Sequence, residues 1–488
     1  MAVAVALPTL KLSDDEQAAA GLLRGQILRV ALRNKERADR YEGKHTANDL
    51  GISAPMGVPG LVAAVMGWAG TVVDVLEERL EFRGWNSADD LGLSELFVDN
   101  HLSVESGRGH LDALIYGCGF ITVGPGDTSI GEPQVLIGVE STESCTVDWD
   151  YRLRRASSAL SQTRELNGSI VRETLYLPNE TVVIERSGRG GFAVVDRHVH
   201  NIGRVPVARL LNRERASDLS GRSEISRAVA YLTDAAIRTV VGMEVNREFY
   251  TTPKWTAINV DPAIFGLNED ASEKENLTAG WKSTAGRLNV IPPQVDDDDN
   301  PVTPQLHEFR ASSPAPYIEQ LRAYSQLLAA ETGIPVPYLG FEPSNQSSAD
   351  SIRQQEYRLV KRAERRQMSF GLGWLEVALI ALLVRDGAAD PSVFRQVSVD
   401  WRDPSTPTRA AAADEAAKLI GAGVLPADSR VTLDRLGLST QEQEELARDR
   451  QRSLVTDLVS GLRTTADAAQ QSDSQVSGLA GRTIAITD

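Results

Sequence analysis

The sequence predicts an α+β protein that is mainly helical. Three observations predict this class: long stretches with apolar residues at steps of three or four, a central region of short β-branched runs, and a 42% hydrophobic fraction, enough to bury a core.

A chain of 488 residues corresponds to about three domains. The formal charge of −16 argues against a protein that grips nucleic acid tightly. Two cysteines, Cys118 and Cys145, cannot form a disulfide framework and fit a reducing compartment.

The first part of the chain is predicted to be helical. Ser13 and Glu16 have the spacing of a capping box, in which each side chain satisfies a free backbone N–H at a helix start. Apolar residues then recur at helical spacing to about Tyr41. Further helices are expected at about 61–80, 90–100 and 104–116.

The middle of the chain changes to a β pattern. Residues 117–124 are predicted to form a strand, and short β-branched runs broken by turn residues continue to about Leu211. We expect an antiparallel meander packed on the preceding helices. Its strands are predicted at 134–139, 146–150, 170–177, 181–186 and 192–199.

Two helices then enclose an insertion. Residues 224–250 and 316–332 each carry an apolar stripe at helical spacing. Residues 251–310, between them, contain short β runs, several prolines and the acidic run Asp296–Asp299. This arrangement predicts a stalk with a small module at its tip.

The last part begins with a break in the helical pattern. Pro335 and Pro337 exclude a continuous helix through 333–348. Residues 466–488, rich in Ser, Gln, Asp and Ala, are expected to be disordered. Between these segments the sequence predicts a long helix at 349–385, a strand at 397–401 and an alanine-rich helix at 407–420. A charged helix is predicted to begin at the capping box Ser439–Glu442 and to run to about Leu462.

No segment predicts export or insertion in a membrane. Met1–Leu7 lacks the basic leading region of a signal peptide. The longest apolar stretch, Leu372–Val384, is shorter than the roughly 20 residues that a membrane span needs, so it is expected to be a buried helix.

Three patterns are weak candidates for catalysis or metal binding. Gly124–Asp127 lacks the Gly-Lys-Ser/Thr end of a phosphate-binding loop and is typical of a turn. His198 and His200 share a strand face without a third ligand at a convincing spacing. Asp296–Asp299 could hold Mg²⁺, although consecutive aspartates usually form a solvated loop. The sequence therefore predicts no enzyme, no metal site and no cofactor, with a metal-dependent nuclease using Asp296–Asp299 as the alternative from a different class.

The most informative charge feature is the first half of the long helix, residues 353–366, which we call the basic run. Six basic residues stand there against two acidic ones, Glu356 and Glu364, a net charge of +4. Three hypotheses remain open: a solvated face, a seam that pairs with acids of a neighbouring subunit, or a basic ring near nucleic acid. The six basic residues are Arg353, Arg358, Lys361, Arg362, Arg365 and Arg366.

Several stretches, in their order along the chain, resemble portal proteins of tailed bacteriophages, of the type common in phages of actinobacteria. The strongest is Ala330–Gly340, followed by Ser347–Ile352 and the long helix to Trp374. The other stretches are Leu32–Gly43, Ser217–Ser226 and Asp400–Pro404 with the alanine-rich helix after it.

The resemblance implies a ring, usually of twelve subunits, at one vertex of the capsid. DNA is packaged, retained and ejected through the channel of such a ring. The implied partners are the terminase motor, the head–tail adaptor and the major capsid and scaffolding proteins. The implied locations are the virion and, during assembly, the host cytoplasm. The family has no catalytic site. The structural alternative is another ring-forming connector or tail protein of the virion.

The resemblance also implies a division of the chain into the family's domains. Residues 1–220 correspond to the wing, 221–250 and 311–332 to the stem helices, 251–310 to the clip, 333–348 to the tunnel loop, 349–406 to the long helix and strand returning to the wing, 407–465 to the crown, and 466–488 to the tail.

Within the tunnel loop, eight residues are expected to face the channel by this resemblance. The acidic balance of the chain fits such a channel, because many tight contacts to phosphates would slow sliding DNA. The eight residues are Gly340, Phe341, Glu342, Pro343, Ser344, Asn345, Gln346 and Ser347.

Overall fold

The computed structural model confirms the predicted α+β class, with more of the described residues in helices than in strands. The chain divides into two compact units, Met1–Pro404 and Ser405–Asp488. Asp296–Asp299 and the predicted disordered tail lie outside the described residues. The structure describes residues 11–46, 64–88, 91–186, 191–218, 220–250, 254–261, 272, 288–291, 302–309, 313–341, 349–405, 409–438, 442–443, 445–453 and 455.

Helix α1 (Asp14–Tyr41) begins with the predicted capping box. Ser13 Oγ accepts from the Glu16 backbone N–H at 3.3 Å, and Glu16 Oε2 accepts from the Ser13 N–H at 2.9 Å. The buried side of the helix, including Leu23 and Ile27, packs on a five-stranded sheet and forms a core with it.

That sheet is antiparallel, with strand order β4-β5-β6-β7-β8, and contains four of the five strands predicted for the meander. The strand predicted at 134–139 lies instead in a second sheet. Strand β5 was not predicted, because its sequence alternates Ala, Ser and Gln rather than β-branched residues, yet its Ala159 and Leu160 are fully buried. The strands are β4 (Cys145–Asp150), β5 (Arg155–Arg164), β6 (Ile170–Tyr176), β7 (Glu180–Arg186) and β8 (Phe192–Val199).

The main core lies around a second sheet, with strand order β3-β2-β9, and draws buried residues from six helices, of which three precede this sheet in the chain. The helix predicted at 61–80 begins only at Trp68, after Gly67. Strand β1, which follows this helix and pairs with β13, was not predicted. These elements are α2 (Trp68–Glu77), β1 (Phe82–Asn86), α3 (Leu93–Asp99), α4 (Leu102–Tyr116), β2 (Cys118–Pro125), β3 (Val135–Glu140), β9 (Val207–Leu211) and β13 (Ser398–Trp401).

The predicted stalk is present as two packed helices, α5 (Arg227–Tyr250) and α6 (Ala315–Thr332). An added Cβ on Gly242 of α5 would lie 3.1 Å from the Tyr317 ring, so the second half of α5 lies against the start of α6. The insertion forms a three-stranded sheet in which β10 (Lys254–Ile258) lies between β11 (Leu288–Ile291) and β12 (Gln305–Phe309).

The long helix, α7 (Ala349–Asp386), crosses the main core. Phe370, Trp374 and Val377 in its apolar half are fully buried, and Trp374 Nε1 donates to His110 Nε2 at 3.0 Å. By length and composition alone Gln354–Asp386 could cross a membrane, but core helices of this kind pass the same test. Its packing identifies it as a core helix. A short helix, α8 (Pro391–Phe394), follows it.

The second unit contains the alanine-rich helix α9 (Arg409–Gly421) and a short helix α10 (Arg430–Arg435). Arg435 Nη1 lies 3.0 Å from Glu415 Oε1 and links these two helices. Residues 445–453 are helical, in agreement with the predicted charged helix.

Candidate functional site on the long helix

The basic run lies on the first half of α7, as predicted. Its members nevertheless occupy different environments, so the run is not one uniform charged face. Arg358, Lys361 and Arg365 are exposed, Arg362 is half-buried and Arg366 is buried. The side chain of Arg353 lies outside the described part of the chain.

Arg366 forms a buried ion pair with Glu224, which precedes α5. Arg366 Nη2 lies 2.5 Å from Glu224 Oε1, and both side chains are less than a tenth exposed. Burial, the largest single effect, opposes ionisation of this carboxyl, but the charge and hydrogen bond of Arg366 together with Arg213 and Asn212 outweigh it, so the pKa of Glu224 is lowered. Arg366 therefore fastens the long helix to the beginning of α5 and is not available to an external ligand.

Arg358 and Arg362 cap the C-terminal end of α6. Arg358 Nη1 donates to the Ala330 carbonyl at 3.1 Å, and Arg362 Nη2 donates to the Glu331 carbonyl at 2.7 Å. The last carbonyls of a helix lack partners within the helix, and the helix dipole makes that end negative, so a guanidinium group is a favourable partner. The second helix of the stalk thus ends against the long helix.

The segment that leaves this cap starts at Gly333 with φ of +75°, a conformation that favours glycine. A 3₁₀ turn, Val336–Leu339, follows and ends at Gly340 with φ of +87°. Of the predicted channel-facing residues, Gly340 is exposed and Phe341 is half-buried against the main core. The remaining six, within 342–348, lie outside the described residues.

Glu356, an acidic residue within the basic run, accepts hydrogen bonds from Tyr338 and Arg79, which lie outside the run. Tyr338 Oη donates to Glu356 Oε1 at 2.6 Å, and Arg79 Nη2 donates to the same oxygen at 3.1 Å. Arg79 also donates to the Pro404 carbonyl at 2.9 Å. Sequence reasoning missed Arg79, because a single arginine after an apolar helix carries no distinguishing signal. The group holds the 3₁₀ turn against the start of the long helix.

Lys361 and Arg365 are the two exposed basic residues of the run that do not bond to another helix or loop among the described residues. Lys361 Nζ lies 2.6 Å from Glu364 Oε2, one turn further along the same helix. Arg365 forms no ion pair with any residue that the structure describes. Because exposed pairs within a helix are weak, both side chains can reach an external partner.

The structure adds three arginines that sequence reasoning did not single out. Arg213, Arg215 and Arg222 come from the segment between β9 and α5. Two adjoining clefts, of about 270 and 390 Å³, are both lined by Arg213, Arg365 and Arg366. We call these two clefts the basic groove. The sequence shows these three arginines close together, but Glu214, Asp218 and Glu224 in the same segment cancel their charge, so the segment does not stand out as basic.

The three weak chemical candidates gain no support from the described residues. Gly124 and Pro125 end β2, where they pair with β3, and Gly126 and Asp127 begin the connection between the two strands. The Asp127 side chain accepts from the Ser129 N–H at 2.9 Å. The rings of His198 and His200 lie 6.1 Å apart. Within the described part of the chain no group of three His, Cys, Asp or Glu side chains could hold a metal ion. Asp296–Asp299 lies outside that part.

Comparison with known proteins extends these observations to a family. Residues 32–453 match the family described as phage portal protein, SPP1 Gp6-like. The chain is 32% identical over 420 residues to the portal protein of Mycobacterium phage D29, which covers 84% of this chain and 83% of that one. It is 31% identical over 419 residues to the portal protein of Mycobacterium phage L5, with the same two coverages.

Among solved structures, the chain is similar to chains of gene transfer agent (GTA) particles. One belongs to the neck of the native particle, computed with C12 symmetry, with 16% identity, a TM-score of 0.40, and coverage of 80% of this chain and 95% of that one. Another belongs to the neck of the empty particle, computed with C6 symmetry, with 15% identity, a TM-score of 0.40 and the same coverages.

The family match runs from α1 into the second compact unit, so it includes the stalk, the basic run and the basic groove. The two mycobacteriophage relatives confirm the resemblance to actinobacteriophage portal proteins that the sequence motifs indicated. They favour a portal over another virion connector or tail protein and over a nuclease. The chain belongs to the SPP1 Gp6-like family of phage portal proteins.

Proposed function

We propose that copies of this chain close into a ring, of twelve subunits by resemblance to the family, around a channel at one capsid vertex. DNA enters the capsid through this channel during packaging, is retained there, and leaves through it on ejection. The family match over residues 32–453 is the observation that supports this proposal.

The geometry of the stalk supports a division of labour along the chain. Helices α5 and α6 act as the stem, and the sheet between them, within 251–310, acts as the clip. The units before and after them act as the wing and, from residue 407, the crown. The clip is the proposed docking point for the terminase motor and later for the head–tail adaptor. The wing faces the capsid and scaffolding proteins.

Residues 333–348 act as the tunnel loop in this proposal. The segment leaves α6 at a point held by Arg358 and Arg362 and turns at Gly333 and Gly340 before the long helix begins. A loop with both ends fixed on packed helices can contact moving DNA without loosening the ring. The acidic balance of the chain, −16, limits how tightly passing phosphates are held.

Deletion of residues 340–348 tests the loop assignment. The expected result is a ring that assembles normally but packages or retains DNA poorly in phage particles that carry the deletion. Normal packaging with the deleted loop would contradict it. The matched control is the wild-type chain produced in the same phage background.

The chain acts without catalysis of its own in this proposal, and the nuclease alternative has a direct test. Alanine substitution of all four residues of Asp296–Asp299 should leave Mg²⁺-dependent DNA cleavage at the background level of the wild-type protein. A wild-type cleavage activity that disappears in the variant would support a nuclease instead.

A further inference from the structure

The exposed stripe of the long helix beside the basic groove mixes charged and apolar side chains. Tyr357, Lys361, Arg365, Met368 and Leu372 follow one another at steps of three or four along α7. Met368 and Leu372 are 68% and 66% exposed. Surfaces that bind DNA are polar and strongly positive, whereas the centres of protein interfaces are enriched in aromatic residues, Met and Arg. The composition of this stripe favours a protein partner.

The stripe continues into a third cleft, of about 730 Å³, at the β9 edge of the three-stranded sheet. The Arg209 guanidinium lies 3.3 Å from the centroid of the Trp149 ring, and Leu372 also lines this cleft. Glu376 lies in it as well, and burial raises the pKa of Glu376 to about 7 against the opposing effect of Arg204. Arg154, Arg204, Arg215 and Glu214 line the same cleft, so cations, carboxyl groups and an indole ring occur together there. Such a mixture suits a protein surface that carries both charges better than a run of phosphates.

The opposite edge of the same sheet, at β3, carries a complementary surface. A cleft of about 350 Å³ there is lined by Glu95, Asp99, Val135 and Arg385. Arg385 Nη2 lies 2.7 Å from the neighbouring Asp386, which offsets its charge. Glu95 and Asp99 are exposed and form no ion pair with any described residue. We call this surface the acidic cleft.

Apolar side chains line the acidic cleft, among them Leu91, Leu96 and Val135. Val98, in α3 beside Asp99, is 66% exposed, and Val104 at the start of α4 is also exposed. The basic groove with the stripe beside it thus combines cations with Met368 and Leu372, and the acidic cleft combines carboxylates with apolar side chains. The third cleft, into which the stripe continues, includes Arg209 and Leu211 of β9, and the acidic cleft includes Val135 of β3, so the two surfaces adjoin different edge strands of one sheet.

We infer that the basic groove and the stripe beside it receive the acidic cleft of a second copy of this chain, so that neighbouring subunits dock head to tail. Contact between two different surfaces of identical chains is heterologous, and such contacts close into a ring when the rotation allows. The inference rests on the proposed ring, and it assigns the exposed part of the basic run to the neighbouring subunit rather than to DNA.

Charge reversal at one residue of each surface tests the inference. Arg365→Glu and Asp99→Lys are both exposed changes, and a lysine at the C-terminal end of α3 also suits the helix dipole. Each single variant should lower the fraction of full-length protein in rings at least tenfold at a fixed concentration, measured by mass photometry. The chain that carries both changes should regain rings, because opposite charges meet again at every contact if the two surfaces face each other.

Lys35→Glu is the matched control, since Lys35 is exposed on α1 and belongs to neither surface. It should leave ring formation unchanged. Three outcomes would each overturn the inference. The single variants form rings as well as the wild type does, the double variant regains no rings, or the control loses rings as Arg365→Glu does. Rings that form normally in Arg365→Glu but package DNA poorly would assign the groove to nucleic acid instead. A wild-type protein that never forms rings would contradict the proposed function itself.

Discussion

Arg366 on the long helix and Glu224, three residues before α5, form an ion pair whose atoms Nη2 and Oε1 lie 2.5 Å apart in the protein interior. Asn212 Nδ2 donates to the same carboxylate oxygen at 3.0 Å, and Arg213 Nη1 lies 3.5 Å from the other oxygen. The pair ties the stalk, the long helix and the segment after β9 together. It also shows that part of the basic run stabilises the subunit itself.

Replacing Glu224 by Gln should destabilise the protein strongly. The substitution leaves the buried guanidinium of Arg366 without its counter-charge, and removing one partner of a buried pair costs about 3–5 kcal/mol. The free energy of unfolding in urea measures the effect. Adding Arg366→Met to the same chain should recover most of the loss, because the unpaired charge is then gone. A single variant within about 1 kcal/mol of the wild type would contradict this role.

Arg362→Gln should loosen the end of α6 without unfolding the subunit. The variant loses the charged hydrogen bond to the Glu331 carbonyl, an interaction of about 1.5–3 kcal/mol. Hydrogen exchange should become faster for the amides around 330–341 and remain unchanged in the five-stranded sheet. Arg365→Gln, one turn further on and exposed, is the control and should leave exchange unaltered. Equal exchange in all three proteins would count against the cap.

Gly333→Ala should destabilise the same junction. Its φ of +75° costs a residue with a Cβ about 1–2 kcal/mol, and that Cβ would lie 3.3 Å from Arg362 Nε. Thermal unfolding measures the change. Gly25→Ala is a control of opposite sign: Gly25 lies within α1 with open space around it, so alanine should stabilise by about 0.5–1 kcal/mol. A stabilised Gly333→Ala protein would refute the left-handed turn.

His110 should make the wild-type protein sensitive to mild acid. Burial lowers the pKa of His110 from 6.5 to about 3, so between these pH values the unfolded chain binds a proton that the folded chain does not. Stability should therefore fall as the pH drops from 6.5 towards 3, by up to about 1.4 kcal/mol per pH unit. His110→Gln can still accept from Trp374 Nε1 but cannot titrate, so its stability should fall less steeply. Identical slopes in urea unfolding at several pH values would show that His110 does not cause the sensitivity.

The long elements of the fold could be predicted from the sequence, because their signals are local. Ser13 and Glu16 fix the start of α1, and the apolar stripes of α5 and α6 give their approximate extent. Strand β5 was missed since small polar residues hide a buried strand. The pairing of β1 with β13 joins segments more than 300 residues apart in sequence, which no local pattern encodes.

The candidate site was predicted only in outline. The charge of the basic run is visible in the sequence, but how each side chain uses that charge depends on groups distant in sequence. Arg366 finds Glu224, and Arg362 finds a backbone carbonyl, which has no side-chain signature. The sequence therefore left DNA and a neighbouring subunit as open alternatives. The contacts of Arg358, Arg362 and Arg366 show that these three side chains serve the subunit's own fold.

Imaging of the purified full-length protein by negative-stain electron microscopy, with its mass measured in parallel, tests the proposed ring most directly. We expect closed rings with a central hole and a mass near twelve copies of the 52.9 kDa chain. A protein that remains monomeric under every assembly condition tried would contradict the ring.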